Sequence, residues 1–208
     1  MHLRNTWPSS IEREQTILKA QDGLVVWDFD GTIVDTEHLH RKTILELLTR
    51  RGYTPEPGWF DQVMGTPEEA TWERLASQGA PVDSPVEMIA ERRNLYVDAA
   101  IAEVTASWIA EDLVEAFHLA GATQLVLSNG DFDSNRAVLE HIGLPHVRMI
   151  ERGDGSKAGK ITELAPQVIL DDRAGYIMLG QKLGAWTVGV HTKQTLGLLP
   201  ADAAVSIA

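Results

Sequence analysis

Two carboxylates two residues apart close the run Leu24-Val25-Val26-Trp27-Asp28-Phe29-Asp30-Gly31-Thr32. The β-branched and aromatic residues ahead of them predict a short strand. In extended chain, residues i and i+2 point to the same side. Asp28 and Asp30 are therefore expected to project together just past the carboxyl end of that strand, where Gly31 allows a sharp turn. Neighbouring carboxylates repel unless a proton or a cation lies between them. A site made only of oxygen donors calls for a hard divalent cation, of which Mg2+ is the usual one. An acid after a strand can also simply cap the next helix. That reading suits Asp35 or Thr36 ahead of Glu37, but it leaves the Asp28/Asp30 pair unexplained.

Two further apolar runs end in polar groups: Gln124-Leu125-Val126-Leu127 runs into Ser128-Asn129-Gly130, and Gln167-Val168-Ile169-Leu170 into Asp171-Asp172. Each has a plain structural reading, since Ser-Asn-Gly is an ordinary turn and acids favour helix N-termini. Their order and their common strand-end placement argue for one site, because open parallel sheets bind ligands beyond the carboxyl ends of their strands.

The elements that must position these groups follow from the rest of the chain. Helices are expected over residues 9–20 (opened by a serine cap), 37–51, 67–78, 85–103, 109–119, 133–142, 157–164 and 174–183, with further strands over 146–150 and 186–190. Strands alternating with helices predict an α/β fold, a Rossmann-like core of about five parallel strands. Between Asp35 and Ser107 no strand pattern occurs. The domain expectation is an N-terminal helical appendage (1–21), a core made of 22–35 and 106–208, and a helical insert over 36–105.

Composition narrows the function. The chain has 208 residues, no cysteine and a formal net charge of −12. Disulfides, thiol catalysis and thiolate metal sites are excluded, and the negative charge argues against a nucleic-acid partner. Residues 1–21 lack the apolar core of a signal peptide, and no run is apolar enough to span a bilayer. A cytoplasmic enzyme with no membrane partner is expected.

Taken together, the motifs resemble those of the haloacid dehalogenase (HAD) superfamily of aspartate-nucleophile phosphohydrolases. Asp28-Phe29-Asp30-Gly31-Thr32-Ile33-Val34-Asp35 is similar to the first family motif, Ser128-Asn129 to the second and Asp171-Asp172 to the acidic fourth. The helical insert resembles the type 1 cap of the β-phosphoglucomutase-like branch. The resemblance implies that Asp28 is the nucleophile and Asp30 the general acid and base. It also implies that Asp28, the Asp30 carbonyl, Asp171 and Asp172 hold Mg2+, and that Ser128, Asn129 and Gly130 bind phosphoryl oxygens. The third motif departs from the usual Lys-Pro. Its candidates are Lys157 and Lys160 in Gly155-Ser156-Lys157-Ala158-Gly159-Lys160, with Lys157 preferred because it opens a helix whose apolar positions are Ile161 and Leu164. Two more departures are Tyr176, where some branches carry an acid or asparagine, and the absence of Pro-Gly ahead of the helix near Ser107.

The implied activity is a phosphatase acting on a small phosphorylated metabolite. Asp30 argues against dehalogenation, and the insert offers no suitable lysine for a phosphonatase. A phosphomutase would need insert cations to hold a second phosphate. The corresponding loop, Val63-Met64-Gly65-Thr66-Pro67-Glu68-Glu69, carries acids and no Arg or Lys, which argues against a bisphosphate, although Arg74, Arg92 or Arg93 could reach in. Gly65 and Thr66 could present backbone to the substrate or merely start a helix, and Trp59 and Trp72 could line a pocket or pack helices together. His40 is expected to face solvent. A chain that keeps the fold as a binding or regulatory module is the alternative outside enzymology.

Overall fold

The computed structural model describes residues 7–64, 66–153, 155–191 and 200–207. They form two compact units.

The first unit comprises the described residues of 1–35, 105–128 and 142–208. Its centre is a six-stranded sheet of β1 (Leu24–Trp27), β2 (Thr123–Val126), β3 (Val147–Met149), β4 (Val168–Asp171), β5 (Trp186–His191) and β6 (Ala203–Ser206). The spatial order is β3-β2-β1-β4-β5-β6, and every pairing is parallel. The sequence led to about five strands; the sixth is Ala203–Ser206, whose small residues carry little strand signal. Val26 stands opposite Leu125 on one side and Ile169 on the other. The chain runs outward from β1 through β2 and β3, then returns to β4 on the other flank. The crevice past the carboxyl ends of β1 and β4 is therefore the switch point where such sheets bind ligands.

Helices α1 (Ser10–Ala20), α5 (Trp108–Leu119), α7 (Lys157–Leu164) and α8 (Ala174–Leu183) accompany this sheet. Serine caps start three of them: the Ser9, Ser107 and Ser156 hydroxyls each accept from a backbone N–H in the first turn. Such a cap contributes about 1 kcal/mol. Ser107 also donates from its hydroxyl to the Thr32 carbonyl (2.6 Å) and from its N–H to the Ile33 carbonyl (2.7 Å). A serine thus fastens the loop after β1 to the start of α5, at the place where the expected Pro-Gly is missing. The α1 helix is tied in by the Arg13–Asp112 pair (2.8 Å), by Trp7 donating to Asp112 (2.9 Å) and by Trp186 donating to Thr16 (3.0 Å). On α8, a methyl added at Gly180 would lie 2.8 Å from the Ile169 and Thr187 side chains, so a larger residue there would push those side chains of β4 and β5 aside.

The second unit comprises the described residues of 36–104 and 129–141. It contains α2 (Glu37–Arg50), a short 3-10 turn (Phe60–Gln62), α3 (Glu68–Ser77), α4 (Pro85–Glu103) and all but the last residue of α6 (Phe132–Ile142). Its core is Ile44, Leu47, Leu48, Trp59, Trp72, Leu75 and Met88, so both tryptophans pack between helices. Residues 129–141, expected with the core, group with this unit. Arg93 on α4 donates to both Asp131 oxygens (2.9 Å each), and Asp131 also receives the Ser134 N–H and hydroxyl. His40 is half-buried rather than turned fully to solvent. Its ring stacks on Tyr96 with centroids 4.6 Å apart, and its Nδ1 lies 3.2 Å from the Arg92 guanidinium.

Candidate active site

Backbone hydrogen bonds carry the sheet one step past β1. The Asp28 N–H donates to the Leu170 carbonyl and the Leu127 N–H to the Trp27 carbonyl, both at 2.9 Å. Asp28 is thereby fixed between the ends of β2 and β4. The chain then turns sharply: the Thr32, Ile33 and Val34 N–H groups converge on the Phe29 carbonyl, and Gly31 takes φ +83°. That left-handed conformation is strained for residues with a side chain. Asp171, the last residue of β4, and Asp172 are both almost wholly buried.

Lys157 opens α7 and is 2% exposed. Its ammonium donates to Asp28 Oδ1 (2.5 Å) and Asp171 Oδ2 (2.7 Å). Lys160, three residues on, pairs instead with Glu163 (2.9 Å) on a more exposed face. One helical turn thus separates a lysine inside the carboxylate cluster from one outside it. The other Asp171 oxygen accepts the Arg173 N–H (2.8 Å), and the Arg173 guanidinium lies 3.3 Å from Asp172. Ser128 donates its hydroxyl to Asp30 Oδ2 (3.2 Å). The Tyr176 ring lies against the Lys157 ammonium, 4.4 Å from its centroid. Sequence reasoning noted Tyr176 only as a departure, since residue type alone says nothing of what its ring faces.

The electrostatics of this cluster are unbalanced. Burial pushes the Asp28 carboxyl up to about 7; Lys157 pulls it down, while Asp171 and Asp30 add to the rise. Burial disfavours the charge on Lys157, but Asp171 and Asp28 outweigh it and hold the ammonium above its ordinary range. Even with the Arg173 guanidinium at Asp172, the carboxylates of Asp28, Asp30, Asp171 and Asp172 outnumber the cations among them. Asp28, Asp171 and Asp172 each offer an oxygen within 4.8 Å of the others, all buried. A hard divalent cation suits that donor set in both charge and ligand type.

Asn129 and Gly130 belong to the helical unit. Gly65 lies outside the described residues. Thr66 donates to the Val63 carbonyl (2.7 Å) and pairs with the Thr71 hydroxyl (3.0 Å). The arginines of the helical unit are engaged within it: Arg92 with Glu68 (2.6 Å), Arg93 with Asp131, and Arg74 with Gln62 (2.9 Å).

A family model for haloacid dehalogenase-like hydrolases matches residues 23–171, the segment from the start of β1 to the first acid of the Asp171-Asp172 pair. The chain belongs to this hydrolase family. Comparison with curated proteins gives no match. Among solved structures, the chain is similar to CbbY from Rhodobacter sphaeroides in complex with phosphate, at 16% identity and a TM-score of 0.71 over 88% of this chain and 92% of that one. A CbbY variant with xylulose 1,5-bisphosphate gives 15% identity and 0.70 over 88% and 92%. β-Phosphoglucomutase from Clostridium difficile gives 18% and 0.67 over 88% and 89%. At these identities the likeness is one of fold. No helix among the described residues is long and apolar enough to cross a membrane.

Proposed function

We propose that this hydrolase is a Mg2+-dependent phosphomonoesterase acting on a small phosphorylated metabolite. The observation that carries the reading is the Lys157 ammonium lodged between Asp28 and Asp171, with Asp172 beside them. A carboxylate nucleophile can approach a phosphate dianion only where fixed cations offset the repulsion. Asp28, Asp171 and Asp172, with the Asp30 carbonyl, are the residues to hold Mg2+, which when bound supplies the positive charge the cluster lacks. Asp28 attacks phosphorus, the ester P–O bond breaks, and Asp30 gives its proton to the departing oxygen. Water then attacks the aspartyl phosphate, Asp30 takes the water's proton, and phosphate leaves with Asp28 restored. Ser128, with Asn129 and Gly130, binds phosphoryl oxygens, and Lys157 orients the nucleophile and counters the burial that favours its protonation.

The helical unit serves as the cap that selects the substrate, with Gly65 and Thr66 as its contact loop. The CbbY variant with xylulose 1,5-bisphosphate raises the question of a bisphosphate ligand. The pairing of Arg74, Arg92 and Arg93 within the helical unit favours a monophosphate. A cytoplasmic setting accords with the absence of cysteine.

The test is p-nitrophenyl phosphate hydrolysis with and without Mg2+, for the parent and Asp28→Asn. Metal-dependent turnover that vanishes in the variant is expected. Turnover surviving in Asp28→Asn would remove the assignment of the nucleophile, and a parent inert to this and to a panel of metabolite phosphates would point to a non-catalytic module.

A further inference from the structure

Lys157 has a third neighbour besides its two carboxylates. Tyr176, in the first turn of α8, sets its ring centroid 4.4 Å from the Lys157 ammonium. The ring is held there from behind. It packs against the cluster of Val26, Leu127, Ile161, Ile169 and Ala185 that fills the space under β1 and β4. Its backbone N–H donates to the Arg173 carbonyl at 3.1 Å. An aromatic face attracts an ammonium through its quadrupole, and more strongly where water is excluded. Lys157 is 2% exposed, so the contact is of the desolvated kind.

We propose that Tyr176 is a positioning residue for Lys157, holding the ammonium against Asp28 and Asp171 with an aromatic face where another carboxylate would add charge. The cluster already sets three buried carboxylates against the Lys157 ammonium and, at Asp172, the Arg173 guanidinium. A further acid beside Lys157 would fix the lysine equally well, but it would also raise the repulsion met by an incoming phosphate dianion. The ring supplies attraction with no net charge. It also competes less than a carboxylate for the lysine's hydrogen-bonding capacity when a phosphoryl oxygen arrives.

The inference rests on the phosphatase reading, and its test separates the two. Tyr176→Leu keeps an apolar side chain without the quadrupole, whereas Tyr176→Phe keeps the ring. Expected for Tyr176→Leu is a fall in kcat/KM for p-nitrophenyl phosphate of about tenfold. A weaker competitive inhibition constant for inorganic phosphate should accompany it, a quantity that loss of active fraction alone does not move. Tyr176→Phe should recover most of both. Independently of turnover, the ring current should move the Lys157 ε-methylene proton resonances upfield in the parent and in Tyr176→Phe, and not in Tyr176→Leu. Equal kinetic and inhibition constants for the Phe and Leu variants, or methylene resonances that ignore the ring, would overturn the assignment. A parent without turnover would remove the phosphatase reading, and the methylene resonances would still decide the role of the ring.

Discussion

Replacing Asp28 by asparagine should abolish turnover and at the same time stabilise the metal-free protein. Burial carries the Asp28 carboxyl from an ordinary 3.8 to about 7. Between those values the folded chain holds a proton that the unfolded chain releases, so stability falls as pH rises through this window. At about 1.36 kcal/mol per pH unit, the full penalty above pH 7 is about 4 kcal/mol. The amide has no proton to hold and escapes that slope. In chelator, urea unfolding of parent and Asp28→Asn should agree near pH 4, diverge progressively up to pH 7, and keep a constant gap of about 2–4 kcal/mol beyond it. Excess Mg2+ should narrow the gap, since a ligand at a hundredfold its Kd stabilises the state that binds it by about 3 kcal/mol. A variant no more stable than the parent at pH 8, or a gap independent of pH, would refute the view that this cluster is crowded with uncompensated charge.

Two other substitutions test separate parts of the account. Lys157→Met should lower kcat by at least about a hundredfold, as removal of a charge that stabilises the transition state does, while Lys160→Met stays near the parent; comparable losses in both would move the catalytic lysine. In the helical unit, Glu68→Ala strands the buried Arg92 guanidinium and should cost about 3–5 kcal/mol, whereas Glu68→Leu with Arg92→Met should regain most of it; an unchanged melting temperature in Glu68→Ala would show that the pair is solvated.

The sheet and its polar edge were legible because two independent signals agreed. Apolar runs at Leu24, Gln124 and Val168 predict strands, and each ends in residues that a buried core cannot absorb. The bounds of α4, α7 and α8 match their expected ranges. Ala203–Ser206 was not legible, since its strand state comes from pairing with β5 and not from its own residues. The choice between Lys157 and Lys160 was legible only as a preference, because both lie within one helical turn and the deciding fact is which one reaches Asp28. Arg92 and His40 illustrate the opposite difficulty. Their types suggest ligand contact or solvent, but Glu68, Thr43 and Tyr96 engage them from α2, α3 and α4, and such partners are fixed by tertiary packing.

The Lys157–Asp28 contact joins residues 129 positions apart, and β1 pairs with β4 across a similar span. A ribosome makes Asp28 early and its partners late. During synthesis β1 can pair with β2 first, leaving its other edge open, apolar and prone to misassociation until β4 arrives. Pairings of such separation are also slow to close. Asp28 consequently acquires Lys157 and its neighbouring acids only after the segment that ends β4 has been made and folded. If Asp28 is the proposed nucleophile, chemical competence certifies completeness: a stalled or clipped chain lacking Lys157 would carry Asp28 without the ammonium that positions it.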